Sequence, residues 1–275
     1  MWSACGIAIK GGMNATLPLM VFSDLDGTLI DHHSYTWAPA QQAIAALKQI
    51  GAAVVLASSK TAFEIDILRA EMGLTQWPAI VENGAGMLAA NTAPDEGAGD
   101  YDALRAILAD VPDALRRQFT GFGDMTPQEV SKHTGLAEDS AVLARKRAFS
   151  EPGLWQGTDD AKEEFLTALA AQGVRAQQGG RFLTLSFGAT KADQMGVLKE
   201  RYQPRTTIAL GDAPNDVDML ENADFGVVVA NPTRAPLGVL KGEAEGRIMR
   251  TKDAGPTGWN RAVMDVIARL NLNKD

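Results

Sequence analysis

Short apolar runs alternate along the chain with stretches whose apolar residues recur at helical spacing. Residues 19–23 form the first run and lead straight into an aspartate. Residues 40–50, entered through Pro39 and closed by Gly51, then follow the helical period. Residues 53–57 are apolar throughout, an amphipathic stretch covers 62–72 and stops at Gly73, and residues 79–81 begin the cycle again. A strand without polar alternation has to be covered on both faces. The rhythm therefore predicts an α/β fold with a doubly wound, mostly parallel core whose right-handed crossovers are helices.

The rhythm breaks after Gly84-Ala85-Gly86, which reads as a hairpin turn, and residues 91–100, rich in Gly, Asp, Pro and Ala, read as a linker. Elements of another kind follow. Helices are expected over 102–109, 139–145 and 159–172, with a strand at 147–150 and, at 181–187, a strand that alternates as in a one-sided sheet. The core rhythm returns with a helix at 192–202, strands at 206–210 and 225–229 with a helix through Met219 between them, and a terminal helix over 259–270. The expected organisation is a catalytic core split between 18–95 and 188–275, an inserted α+β domain at 96–187, and a disordered extension at 1–17 with Met13 a candidate start.

With 275 residues, 45% of them hydrophobic, the chain can fill a core and an accessory domain without cross-links. The net charge of −8 argues against nucleic acid and anionic membranes as partners, since either would need a basic face. Nothing resembles a signal peptide or a membrane span, no obligate protein partner is evident, and the single cysteine, Cys5, offers neither disulfide nor metal cluster. These features point to the cytoplasm.

A phosphate-bearing ligand would then have to be held locally, and the strand ends supply the means. Asp24-Leu25-Asp26-Gly27-Thr28 follows the first apolar run, at the carboxyl edge where open α/β sheets bind ligands. One carboxylate, Asp24, can attack phosphorus and form an acyl phosphate; the other, Asp26, can protonate the leaving oxygen and later deprotonate water. Two carboxylates facing a phosphate dianion demand a cation. Gly211-Asp212-Ala213-Pro214-Asn215-Asp216, after a later apolar run, supplies further oxygen donors. Asp24, the Asp26 carbonyl and Asp212 form a set suited to Mg²⁺, with Asn215 and Asp216 orienting it. Ser58, after the second run, can hydrogen-bond a phosphoryl oxygen, and Lys191, at a helix start, can neutralise its charge.

Taken together, Asp24-x-Asp26-x-Thr28, Ser58, Lys191 and Gly211-Asp212-x-x-Asn215-Asp216 resemble the four motifs of the haloacid dehalogenase superfamily. The resemblance runs from about Leu19 to the end of the chain. It implies a Rossmann-like core with an inserted cap, Asp24 as nucleophile, Asp26 as acid/base, Ser58 and Lys191 on phosphate, and magnesium at Asp24, Asp26 and Asp212. Ser58-Ser59-Lys60 stands where many relatives carry Thr-Gly-Arg. The α+β insert resembles the cap of the sugar-phosphate phosphatase branch. Within that branch Ala57-Ser58-Ser59-Lys60-Thr61, Glu82-Asn83-Gly84, Phe149-Ser150-Glu151-Pro152 and Gly255-Pro256-Thr257-Gly258-Trp259 are similar to the mannosyl-3-phosphoglycerate phosphatases. The resemblance implies release of phosphate from 2-O-mannosyl-3-phosphoglycerate to give mannosylglycerate, with glucosyl-3-phosphoglycerate an open alternative.

Selectivity would rest on the cap. Arg147, Glu151 and Arg181 are candidate contacts for a small phosphorylated sugar-glycerate, with Lys60 near its phosphate or carboxylate. His32, His33 and His133 lack metal-ligand spacing and read as loop residues; Arg116-Arg117 reads as a solvated helix face. Taken singly, Asp-x-Asp is more often a turn or a cap, Ser58 a helix cap and Lys191 a surface lysine, so the chemistry rests on their combination. A phosphomutase and a catalytically silent sugar-phosphate binder stay open as rivals.

Overall fold

The computed structural model describes residues 17–272, so most of the expected extension lies outside the described residues. The chain begins with β1 (Met20–Ser23), α1 (Gln41–Gln49), β2 (Ala53–Leu56), α2 (Ala62–Glu71), β3 (Ala79–Val81) and β4 (Gly86–Leu88). The insert holds α3 (Tyr101–Ala109), α4 (Asp113–Arg116), β5 (Phe119–Gly121), α5 (Pro127–Thr134), α6 (Glu138–Ala144), β6 (Ser150–Trp155), α7 (Asp159–Ala170), β7 (Arg175–Gly179) and β8 (Phe182–Ser186). Then come α8 (Lys191–Tyr202), β9 (Thr207–Gly211), α9 (Val217–Asn222), β10 (Phe225–Ala230), β11 (Ile248–Ala254) and α10 (Gly255–Arg269).

The central sheet runs β11-β10-β9-β1-β2, and every pair in it is parallel. Its strands are apolar because both faces are covered. Val21, Val54 and Leu210 point into one core with Trp259 and Ile44, whereas Phe22, Val55 and Ala209 point into the other with Met195 and Met219. From β1 the chain moves outward to β2; after the insert it returns to β9 on the other side of β1 and moves outward again. The order thus reverses between β1 and β9, and the carboxyl ends of these two strands open a crevice at the switch point.

Past β2, β3 adds a single parallel bridge, Ala57 to Ile80, and pairs with β4 as an antiparallel hairpin. The second sheet, β5-β6-β8-β7, is antiparallel throughout. One of its faces packs Phe119, Leu183 and Leu185 against Leu104, Leu108 and Phe165 of α3 and α7. The other carries Phe182 and Leu154 against α5 and α6. β4, β5, β7 and β11 were not anticipated, and β6 is displaced. The strand expected at 147–150 lies instead at Ser150–Trp155, hidden by Pro152 and Gly153, residues that ordinarily interrupt strands. β11 escapes the pattern because, as an edge strand, it alternates partly buried positions with exposed ones such as Arg250 and Lys252. No helix among the described residues is long and apolar enough to cross a membrane.

Candidate active site

Asp24 leaves β1 with its N–H still bonded to Leu210 O (2.9 Å), so the parallel ladder fixes its backbone one residue past the strand. A chain of two bonds adds to this: the buried indole of Trp259 donates to Ser23 Oγ (2.9 Å), which donates to the Asp24 carbonyl (2.7 Å). Gly27 then turns the chain at φ +86. A Cβ there would lie 2.2 Å from Asn231 Nδ2, so only glycine lets the loop after β1 approach the loop after β10. Thr28 Oγ1 donates to Asp212 Oδ1 (2.8 Å) and Asn231 Nδ2 donates to Asp212 Oδ2 (2.8 Å). Asp212 is thereby oriented from two sides.

Asp216 is fully buried. Its Oδ2 accepts the backbone N–H groups of Asp212 and Ala213 (3.1 and 3.0 Å), folding the acidic loop back on itself, and its Oδ1 accepts Lys191 Nζ (2.8 Å). Lys191 Nζ also reaches Asp24 Oδ1, at 2.7 Å. Lys191 opens α8, behind the N-cap Thr190, and is 1% exposed. An ammonium is disfavoured both by burial and by a helix N-terminus; the two carboxylates compensate for that placement. Burial would pull the lysine proton off, but Asp216 and Asp24 outweigh it and hold the ammonium well above its ordinary range. Burial in turn pushes the Asp24 carboxyl up, to about 8, against the pull of Lys191 and with Asp216 and Asp212 adding to the push.

Oxygens of Asp24, Asp212 and Asp216 lie within 4.8 Å of one another, all three residues buried. Three carboxylates face one buried ammonium, so negative charge is in excess. The donors are all hard oxygens, the set that fits a divalent cation of the magnesium type. Asp216, spent on Lys191 and two backbone N–H groups, positions the others.

Asp26 follows two residues after Asp24, with its side chain partly exposed and Lys60 Nζ at 3.0 Å from its Oδ2. Ser58, buried after β2, accepts the Lys60 N–H at its Oγ (3.3 Å). Asn215 Nδ2 donates to Asn83 Oδ1 (2.8 Å), tying the acidic loop to the turn after β3. Pro214 and Asn215 of the acidic loop border a cleft of about 700 Å³ between the core and the insert. Ser59, Lys60, Asn83, Asn215 and Arg234 line it from the core side, and Phe122, Arg147, Pro152, Phe182, Thr184 and Gln177 from the insert. Arg234 brings a further cation to the mouth, its Nε 3.5 Å from Asp212 Oδ2.

Comparison with known proteins shows the family and the fold. The family model of the haloacid dehalogenase-like hydrolases matches residues 21–96 and 159–237, together more than half of the chain. The chain belongs to the haloacid dehalogenase-like hydrolases. Three solved structures illustrate the shared fold. One is a phosphatase of the haloalkanoate enzyme superfamily from Bacteroides thetaiotaomicron, 15% identical over 98% of this chain and 100% of that one, with a TM-score of 0.61. A sucrose-phosphatase from Synechocystis sp. PCC6803 is 16% identical over 93% of this chain and 98% of that one, with a TM-score of 0.55. A sugar phosphatase of subclass IIB in the same superfamily is 15% identical over 93% and 100%, with a TM-score of 0.59.

Not every residue anticipated for this hydrolase reaches the cleft. Lys60 and Arg147 line it. Glu151 does not: with the strand starting at Ser150, Glu151 is an interior strand position. It turns to the face covered by α3 and α7, where it is fully buried and accepts the Tyr101 hydroxyl and the Gly123 N–H. Arg181 lies in the β7–β8 turn and donates to the His133 carbonyl (2.8 Å). Arg117 is exposed, and Arg116, at the surface beside it, pairs with Asp124, both of whose carboxylate oxygens lie 2.9 Å from its Nη2. Of the histidines, His32 lines the cleft mouth. Thr28, Asn231 and Arg234 all reach Asp212, and Asn83 holds Asn215, contacts between loops that the residue types alone do not announce. Asn231 stands directly after an apolar run, the position that drew attention to Asp24 and Asp212.

Proposed function

We propose that this hydrolase is a phosphoric monoester hydrolase for a sugar phosphate and that it works through an aspartyl-phosphate. Its best candidate substrate is 2-O-mannosyl-3-phosphoglycerate, with glucosyl-3-phosphoglycerate the nearest alternative. The observation that carries the chemistry is the buried Lys191 ammonium held between Asp24 and Asp216 beside Asp212, at the switch point of the sheet.

In this reading an Asp24 oxygen attacks phosphorus, the bond from phosphorus to the sugar oxygen breaks, and Asp26 gives that oxygen its proton. Water then attacks the acyl phosphate, Asp26 takes the water proton, and phosphate leaves with Asp24 restored. Ser58 and Lys191 hold the phosphoryl oxygens, and Lys191 offsets the charge that develops on them. Asp24, the Asp26 carbonyl and Asp212 would hold Mg²⁺, with Asn215 and Asp216 fixing the acidic loop. The ion would supply positive charge that keeps Asp24 ionised and lowers its repulsion toward the phosphate dianion. The domain division with 96–187 as a cap completes the proposal: the cap supplies the sugar-facing wall, where the Phe122 and Phe182 rings and Gln177 offer apolar surface and amide groups to a carbohydrate.

The mannosyl-glycerate assignment is supported by the sequence motifs around Ser58, Glu82, Ser150 and Trp259 together with Lys60 and Arg147 on the cleft wall, two cations suited to a glycerate carboxylate. Phosphate release with Mg²⁺ from mannosyl- and glucosyl-3-phosphoglycerate, beside glucose 6-phosphate and mannose 6-phosphate, tests it. Preference for a glycosyl phosphoglycerate by about a hundredfold in kcat/KM is expected. Equal rates on simple hexose phosphates would remove the assignment, and an isomerised sugar phosphate in place of free phosphate would make the protein a mutase. Chelation is expected to stop turnover and added Mg²⁺ to restore it.

A further inference from the structure

Glu82, Asn83 and Gly84 adopt positive φ one after another, at +52, +61 and +94. Left-handed backbone is unfavourable for Glu and tolerable for Asn, and a run of it persists only where the surroundings over-determine it. Here they do. The N–H groups of Glu82 and Asn83 donate to Lys60 O (2.9 Å) and Ser58 O (2.8 Å), so the turn carries the loop after β2. Asn83 Oδ1 holds Asn215. Gly84 lies so close to the start of α8 that a Cβ would stand 2.0 Å from the Thr190 carbonyl carbon, and its carbonyl accepts Gln194 Nε2 (2.9 Å). The tripeptide thus touches the loops carrying Ser58, Asn215 and Lys191.

The side chain of Glu82 reaches the other way, into the insert. Its carboxylate, fully buried, accepts the Ala148 N–H (2.8 Å), the Phe149 N–H (3.2 Å) and the Ser150 hydroxyl (2.7 Å), and pairs with Arg147 Nε at 3.2 Å. Arg147 in turn donates to Ser150 Oγ (2.7 Å) and to the Ser59 carbonyl (3.2 Å) while lining the cleft. A buried carboxylate without a partner would be strongly disfavoured, and a buried guanidinium likewise, so each fixes the other.

We propose that Glu82 is a positioning residue for specificity: it aims the Arg147 guanidinium at the part of the substrate beyond the phosphate, and through the turn at 82–84 it locks that grip to the loops that hold the phosphate. The role rests on the reading of Arg147 as a substrate contact. A substrate group seated on Arg147 bears on Ser59 and, through Glu82, on the 58–60 loop, so recognition of the sugar-glycerate and alignment of the phosphate are one event.

The test is a double-mutant cycle of Glu82→Gln and Arg147→Ala, with Ser150→Ala as a milder break in the same network. Each is assayed on 2-O-mannosyl-3-phosphoglycerate, on the small ester phenyl phosphate, and for binding by calorimetry. Glu82→Gln and Arg147→Ala are each expected to raise KM for the glycosyl substrate about tenfold or more, with a smaller loss on phenyl phosphate. The double variant should fall within about threefold of Arg147→Ala alone, because Glu82 acts through Arg147. Ser150→Ala should show the same substrate-dependent split to a lesser degree, which keeps the role testable where Glu82→Gln fails to fold. Losses that multiply in the double variant, equal losses on both substrates, or unchanged KM in both Glu82→Gln and Ser150→Ala would overturn the role. A wild type that prefers another sugar phosphate corrects the substrate assignment alone, and the same cycle on that sugar phosphate then decides the role of Glu82.

Discussion

At the scale of single residues, the site is built from charges held where charge is costly. Lys191 is the clearest case: burial and a helix N-terminus both oppose it, and only Asp24 and Asp216 account for its place. Lys191→Met is therefore expected to lower kcat/KM by about a hundredfold or more, the scale of a lost transition-state contact, and to leave two acids facing each other without a cation. Lys191→Arg, read in parallel, should recover little, because a guanidinium does not fit between two acids each under 3 Å from the nitrogen. Farther out, Glu243 accepts Arg250 at 2.7 Å and the Leu240 N–H at 2.9 Å, which hold its carboxyl down at about 2, against an ordinary 4.5. The same arginine ties down Leu237 and Gly238, in the loop that also carries Asn231 and Arg234. The stabilisation is full above pH 4.5 and is lost as pH falls through about 2. The gap in melting temperature between wild type and Glu243→Gln should accordingly be widest near neutrality and close at the acid end.

Elements explain why part of the molecule was legible in the sequence and part was not. Strands buried on both faces announce themselves as unbroken apolar runs, so β1, β2, β9 and β10 could be read directly, and with them the loops that carry Asp24, Ser58 and Asp212. β11, at the edge, and β7, which carries Gln177 and Gln178 on an exposed hairpin, have no such signature. β6 contains Pro152 and Gly153, and a strand expected to end at residue 150 leaves Glu151 in a loop free to reach the cleft, whereas the strand that runs to Trp155 fixes it against Tyr101; a small error of boundary becomes an error of function. What joins elements is least visible of all: Asn231 meeting Asp212, or Trp259 holding Ser23, links residues far apart in the chain. Trp259→Ala is expected to cost about 3–5 kcal/mol by leaving a cavity under β1, measured as a lowered denaturation midpoint. Trp259→Phe should lose less stability, yet it still releases the Ser23 hydroxyl and so slows turnover. Gly27→Ala forces the Asn231 amide off Asp212, and weakened cation-dependent thermal stabilisation would report it.

For the molecule as a whole, the order of the strands does most to assemble the chemistry. Reversal between β1 and β9 brings the loops holding Asp24 and Asp212 to one crevice, and α8 delivers Lys191 to it as the chain returns from the insert. The chain crosses between the core and the insert near residues 90–100 and near Gly188, and we propose that the insert closes over bound substrate by hinging there. Hydrogen exchange in those segments should slow when a glycosyl phosphoglycerate binds; protection unchanged by ligand would argue against closure. All of this serves one claim, that Asp24 carries the phosphoryl group. Acid-quenched single turnover on the glycosyl phosphoglycerate, followed by digestion and mass spectrometry, tests it most directly. A phosphate adduct on the peptide holding Asp24 is predicted for wild type and for Asp26→Asn, in which its hydrolysis is slowed, and none for Asp24→Asn. Phosphate release by Asp24→Asn at the wild-type rate, or an adduct on any other residue, would contradict the account.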